Sequence, residues 1–324
     1  MHKIKVVQVG FGSLGVAFFK TLVDHKKIKV VGIIDTDPNK IGKDAGFLTA
    51  GKKNGVRILK DLQNLRVRPD LAVVTTTSKI REAYGQIYQI LKQRISVITT
   101  CEELVYPKKL HQKIAKKIDL LAKRNRVVVL GVGVNPGFVM DSLVITLSTL
   151  CSKIKKISVT RVVNLAKRRK TLQNKMLVGM TATEFRKNKT KIGHVGLKES
   201  AQMIADSLNI KLNLKNSITP ILAETAISSN GINIKPKRIC GIKHTLCGKK
   251  SNSKFLEMSL LMYVGAKDCD MIKIEGEPPI QIKTNGINGD KATISLLLNY
   301  IPKVLKSRPG LRTVNELPNP RFVS

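Results

Sequence analysis

Apolar and polar positions alternate in blocks at the start of the chain. An apolar run, Ile4 to Val9, meets Gly10-Phe11-Gly12-Ser13-Leu14-Gly15, apolar residues then recur at Val16, Phe19, Leu22 and Val23, and a second run, Val30 to Ile34, ends at Asp35. Short continuous runs bounded by glycine predict buried strands, and the 3–4 spacing between them predicts a helix. The rhythm continues. Thr36-Asp37-Pro38 is a turn, and residues 39–50 form a polar loop or short helix. Strands are predicted over 56–59, 71–74, 95–100 and 126–134, with amphipathic helices over 80–92 and 110–124. Strand and helix in alternation predict an α/β architecture, a Rossmann-type doubly wound parallel sheet.

Past Val134 the pattern changes. Asn135-Pro136-Gly137 interrupts it, and an apolar helix follows over 141–150. Residues 157–163 read as a strand, with Lys167-Arg168-Arg169-Lys170 in a loop after it. Helices are predicted over 181–187 and 198–208. Strand-like pieces then fall at 212–214, 232–234, 238–243, 255–264, 271–275 and 280–282. Many strands with few helices predict a second, mixed α/β and largely antiparallel domain. A last apolar helix, 292–305, should be bent or ended by Pro302 and should return to the first domain, leaving 309–324 as a tail. The division is therefore 1–134, completed by 290–324, for a dinucleotide, and 135–289 for substrate binding and oligomerisation.

Composition narrows the function. The 324 residues suffice for two cores, and no apolar run is long enough to cross a bilayer. The first apolar segment is short and lacks a cleavage site, so it reads as the first strand of a cytoplasmic protein. Five cysteines at irregular spacing, without a CxxC pair, indicate neither zinc site nor disulfide framework. They are idle thiols of a reducing compartment, with Cys101 set apart by its two neighbouring carboxylates. The net charge of +36 is dispersed in short clusters, and aromatics are 4% with no Trp. That argues for solvated basic faces and non-specific attraction of polyanions, against a specific nucleic-acid module.

Chemistry gathers where predicted strands end. Gly10 permits a tight turn, Gly12 lets backbone approach a pyrophosphate, and Gly15 lets helix and strand pack closely. Phe11, Ser13 and Leu14 complete the turn, whose N–H groups at the helix start face phosphate. Asp35, about 20 residues on, is placed to accept ribose hydroxyls. Its charge repels a 2′-phosphate and favours NAD over NADP, an inference that Lys40 and Lys43 blunt. Thr76 and Thr77 end a strand where a cofactor would lie, or else belong to a β-prone run with Ser78 as a helix cap. Further along, Glu102-Glu103 follows one strand and Asn135 another. Glu102 beside an apolar strand suits a general base whose pKa is raised by desolvation, or is a plain helix-start acid. Glu103 faces substrate or solvent, or caps the following helix. His194 and His244 bind or protonate substrate or are structural, and Arg168 and Arg169 match a substrate carboxylate. No HExxH or other dense ligand cluster suggests a metal.

Taken together, GFGSLG, ITTCEELVYP, GVGVNPGFVMD, GHVGLKESAQMIADSL, NGINGDKATISLLLNYIPKVL and RPGLRTVNELPNPR resemble the 2,4-diaminopentanoate dehydrogenase family of NAD(P)-dependent amine dehydrogenases, within the dihydrodipicolinate reductase-like group. The resemblance implies a Rossmann domain completed by the carboxy-terminal helix, a homodimer or homotetramer, and NAD- or NADP-dependent oxidative deamination or its reverse. It assigns Glu102 as the catalytic carboxylate, while Asn135 is a cofactor-binding candidate from its place at a strand end that the nicotinamide should reach. Dihydrodipicolinate reductase itself carries paired histidines, then a lysine and Ser-Gly-Thr. Residues 158–175 here hold Val162-Val163-Asn164 and neither feature. The basic run is a poor neighbour for a diamine, so an amino-acid-like amine stays open beside it. A C=N reductase and a non-catalytic NAD(H)-sensing or polyanion-binding protein are the alternatives.

Overall fold

The structure is a computed structural model and describes residues 3–188 and 195–323. The chain divides into two compact units, one built from 1–137 with 289–324 and the other from 138–288.

The first unit opens with β1 (Ile4–Val9), α1 (Ser13–Leu22), β2 (Ile28–Ile34), α2 (Ala45–Ala50) and β3 (Ile58–Leu59). It continues with β4 (Leu71–Val74), α3 (Ile80–Lys92), β5 (Ser96–Thr99), α4 (Gln112–Arg124) and β6 (Val128–Gly131). All these strands are parallel, in the order β6-β5-β4-β1-β2-β3. The order reverses between β1 and β4. There the connections leave to opposite sides and open a crevice at the strands' carboxyl ends.

The strands carry no polar alternation because helices cover both faces. Leu71, Ala72, Val73 and Val74 are each at most 1% exposed, and burying each large one contributes about 1.5–3 kcal/mol. Ile80, Ala83, Ile87 and Ile90 of α3 and Ala115, Ile118 and Ala122 of α4 share a core with Val7, Val74, Val97 and Val129. The long helix from the carboxy-terminal segment lies against β4, β5 and β6 and meets α1.

In the second unit come α5 (Ser142–Ser148), β7 (Lys153–Asn164), α6 (Lys170–Lys175), α7 (Ala182–Asn188) and α8 (Leu197–Ser207). Then follow β8 (Asn213–Leu222), β9 (Ile227–Ser229), β10 (Ile232–Ile234), β11 (Ile239–Lys250), β12 (Ser253–Tyr263), β13 (Cys269–Glu277) and β14 (Ile280–Thr284). Six of them make a sheet in the order β14-β13-β7-β12-β11-β8, antiparallel except for the β7–β12 pair. Buried and half-buried positions alternate along most of β7 and β12, following the two-residue period of a strand. Two buried positions of this sheet carry opposite charges. Arg161 on β7 and Asp270 on β13 meet at 2.7 Å, both 3% exposed, and together hold the backbone of Ile287 through Arg161 Nη2 and Asp270 Oδ2. Burial pulls the Arg161 pKa down, and Asp270 opposes it.

Three expectations need correction. The basic run 167–170 is not an open loop: a 3-10 turn at Leu165–Lys167 leads into α6, with Arg168 and Arg169 half-buried between them. The last helix, α9 (Gly289–Leu305), passes through Pro302 to Leu305, because a proline in the final turn sacrifices a single ladder bond. The tail contains a seventh parallel strand, β15 (Gly310–Arg312), which pairs with β6. Asp119 of α4 accepts the Leu311 N–H at 3.0 Å.

Candidate active site at the carboxyl edge of the parallel sheet

The glycine turn leaves β1 into α1. Gly10 stands at φ +96°, a left-handed value that favours glycine. A Cβ on Gly15 would sit 2.2 Å from the Gly10 carbonyl oxygen, whereas one on Gly12 would meet nothing within 4 Å. Gly15 therefore serves packing, and Gly12 leaves a free approach on the outer side. Gly12 and Ser13 are exposed and Leu14 half-buried, and no side chain caps α1. Its first N–H groups and dipole are available to an anion. Phe11 offers only backbone outward, for its ring is 2% exposed and packs edge-on against Phe19 at 5.6 Å.

Asp35 ends β2 beside this turn. Its Oδ2 accepts the Phe11 N–H at 2.6 Å, its Oδ1 accepts the Asp37 N–H at 2.9 Å, and Lys40 Nζ lies 3.9 Å from Oδ2. The acid thus closes the turn as well as facing outward. A pocket of about 560 Å³ opens here, lined by Gly10, Asp35, Thr36, Lys60, Thr76 and Gln86 among others. Its size and mixed polarity suit the adenosine half of a dinucleotide. Thr76 Oγ1 donates to Gln86 at 2.7 Å, and Thr77 bonds Glu82, so the first lines the pocket and the second stabilises the start of α3.

Glu102 and Glu103 occupy a 3-10 turn, Glu102–Leu104, after β5. Adjacent carboxylates take different roles here. Glu103 Oε2 accepts the Ile80 N–H at 2.8 Å, the first residue of α3, and lies 3.7 Å from His111 Nε2. It caps the preceding helix, not the following one, and the cap comes from Glu103 where Ser78 was expected. The positive end of the α3 dipole attracts it. Glu102 is half-buried. The turn is seated against β6, since a Cβ on Gly131 would come within 2.5 Å of the Leu104 backbone. Cys101 is fully buried, donates to the Ser78 carbonyl at 3.3 Å, and has its thiol pushed up to about 12 by burial with help from Glu103 and Glu102. It remains a neutral thiol.

After β6, Asn135 is 8% exposed, and its Oδ1 has no partner among the described residues. An orphaned buried acceptor costs about 1–3 kcal/mol, which a carboxamide N–H would relieve. The residues present therefore fit a nicotinamide dinucleotide at both ends.

In the second unit, His244 lies on β11, 4% exposed, with Nε2 against Asn216. Burial, aided by Lys198, pulls its pKa to about 4, so it is neutral near pH 7 and a poor proton donor. His194 lies outside the described residues. Two positions escaped sequence reasoning. Asp141, fully buried, accepts the Ser142 N–H and the Ser200 hydroxyl, both at 2.6 Å, and so ties the start of α5 to α8. Gln8, buried in β1, bonds the glycine turn. An acid opening an apolar helix marked the first; nothing local marked the second.

Residues 138–324 match the family model of the 2,4-diaminopentanoate dehydrogenase C-terminal domain. The whole chain is 31% identical over 343 aligned positions to 2,4-diaminopentanoate dehydrogenase of Acetoanaerobium sticklandii, covering 96% of that protein. Among solved structures, an amine dehydrogenase from Mycobacterium smegmatis superposes with TM-score 0.88 at 23% identity, over 98% of this chain and 97% of that one. A dihydrodipicolinate reductase from Paenisporosarcina sp. TG-14 follows at TM-score 0.55 and 13% identity, over 97% and 99%. The structures agree in fold, and the family match spans more than half of the chain: this protein belongs to the 2,4-diaminopentanoate dehydrogenase family.

Proposed function

We propose that the chain is an amine dehydrogenase in which Glu102 is the catalytic carboxylate, working with a dinucleotide laid along the carboxyl edge of the parallel sheet. The cofactor is a nicotinamide dinucleotide. Its pyrophosphate would rest on Gly10, Gly12, Ser13 and Leu14, its adenosine ribose on Asp35, its adenine in the pocket beside Thr76, and its carboxamide on Asn135. When bound, it supplies a hydride acceptor. Asp35 supports NAD over NADP. Lys40, which bridges Asp35 and Asp37, lowers the penalty for a 2′-phosphate.

The chemistry follows from the amine. An ammonium of pKa roughly 10 has no lone pair to expel hydride. Glu102 takes its proton, and the freed pair drives hydride from carbon as the C=N bond forms. Half-buried, Glu102 returns its proton to solvent and again faces the positive iminium as a carboxylate. Water then adds to the iminium carbon with loss of a proton to Glu102, the carbinolamine nitrogen takes that proton back, and the C–N bond breaks as the carbonyl forms, releasing ammonium. Glu103 is unsuited to this role because α3 and His111 engage it.

The relative's name specifies an amine that also bears a carboxylate. Arg168 and Arg169 supply guanidinium groups that pair carboxylates bidentately, which supports an amino-acid-like substrate over a bare diamine. We further propose a cytoplasmic homo-oligomer, which light scattering would test. Among the described residues no helix is long and apolar enough to cross a membrane.

The observation that carries the reading is Glu102, half-buried on a turn seated against β6, in a chain of this family. A panel of amines and amino acids, assayed by NADH and NADPH absorbance with and without ammonia, tests it. Turnover of cyclic imines alone would favour a C=N reductase. Glu102→Gln should retain NADH binding and lose about 10²–10⁴-fold in turnover. Near-normal turnover refutes the assignment.

A further inference from the structure

Gln8 is the penultimate residue of β1, between Val7 and Val9, and is fully buried. An amide there is costly: its Oε1 has no partner among the described residues, and an apolar side chain of like volume would avoid that loss. Stability alone does not account for it. Its Nε2 donates to two carbonyls, Gly10 O and Gly15 O, each at 2.9 Å. Both partners accept only, which fixes the amide's orientation. Thr75 Oγ1, at the end of β4, donates to the same Gly10 oxygen at 3.1 Å.

The other side of that peptide unit explains the arrangement. In a trans peptide, C=O and N–H point in opposite directions. With the Gly10 oxygen held inward by Gln8 and Thr75, the Phe11 N–H points outward, where it donates to Asp35 Oδ2 at 2.6 Å. Amide, peptide and carboxylate form one polarised chain. The bond to Gly15 O ties the first turn of α1 to the same side chain.

We propose that Gln8 is a positioning residue for coenzyme recognition, orienting the Gly10–Phe11 peptide and, through it, the Asp35 carboxylate that reads the ribose. The inference rests on the dinucleotide reading of Asp35 given above. Thr75 is its helper.

Titration of the full chain with NADH and NADPH, followed by coenzyme fluorescence, tests it. Gln8→Met keeps the bulk and removes both donors. It should weaken NADH binding about tenfold and shrink the NADH-over-NADPH preference. The KM for the amine and kcat at saturating coenzyme should hold within about twofold. Combined with Asp35→Ser, it should add little to the loss from Asp35→Ser alone, because the two act in series. Unchanged coenzyme affinity, or full additivity, overturns the proposal. If Gln8→Met fails to fold, Thr75→Val carries the same test with a loss of a few-fold, and unaltered preference overturns it. Should Asp35→Ser itself leave the preference untouched, the ribose reading fails first and takes this inference with it. A change with Asp35→Ser but none with Gln8→Met or Thr75→Val fails the inference alone.

Discussion

The turn after β1 and the turn after β5 stand at the same edge of one parallel sheet, yet they are held in different ways. The first is fixed from within. Its backbone takes a conformation that favours glycine at Gly10, and its carbonyls are tied down by Gln8 and Thr75. The second has ordinary backbone and is fixed from outside, by Glu103 capping α3 and by β6 approaching at Gly131. A turn that cradles backbone to backbone tolerates no added atoms. A turn that presents a side chain tolerates bulk better than a change of charge. The first should fail by substitution of shape, the second by substitution of chemistry.

The largest expected effect tests the chemical half. Glu102→Gln is nearly isosteric, so stability and NADH affinity should stay near wild type while turnover falls by the orders of magnitude given above. A large loss of stability instead would mean that the β5 turn also depends on shape. Next comes Gly15→Ala, which changes no charge and adds one methyl 2.2 Å from the Gly10 oxygen. Overpacking of this kind costs about 1–3 kcal/mol, visible as a lower denaturation midpoint, and NADH should bind at least tenfold more weakly. Gly12→Ala, with open space around it, should leave the midpoint nearly unchanged. Glu103→Gln separates the adjacent carboxylates. It weakens a cap worth about 0.5–2 kcal/mol and should lower stability with little direct effect on the chemical step. Equal losses of kcat in both glutamate variants would erase the distinction drawn between them. The smallest effect belongs to Cys101. Its pKa, raised to about 12 by burial, keeps the thiol protonated through pH 9, where a free cysteine of pKa about 8.5 is mostly ionised. Site-resolved mass spectrometry should find it unalkylated by iodoacetamide in the native protein at pH 9. The folded state favours the protonated thiol, so any stability it contributes is present below the unfolded pKa and declines as pH rises through the folded one.

What was legible in the sequence was local. The glycine turn, the acid after β2 and the buried strands declare themselves through neighbouring residues, since a short apolar run bounded by turn residues has few other uses. What stayed hidden depends on partners far along the chain. Glu103 caps a helix that begins 23 residues earlier, and Gly310–Arg312 becomes a strand only because β6 and Asp119 are waiting for it. Gln8 looks like a polar interruption of a strand until the turn folds back over it. The basic run at 167–170 reads as a solvated loop because its charges mask the turn begun by Leu165 and Ala166, both buried. Glu102 is a different case: its place after an apolar strand made it a candidate base, the family resemblance gave it the catalytic role, and the structure seats its turn against β6.

The late strand β15 has a consequence for biosynthesis. β6 is made before the second unit, whereas its edge partner is made about 180 residues later, after the whole of that unit. Throughout that interval the growing chain carries an unpaired, strongly apolar strand edge, the kind of surface that invites pairing with other chains. A chain that stops before Gly310 never closes that edge. Messages truncated before the Gly310 codon should therefore give aggregates and chaperone clients in place of a partly active enzyme.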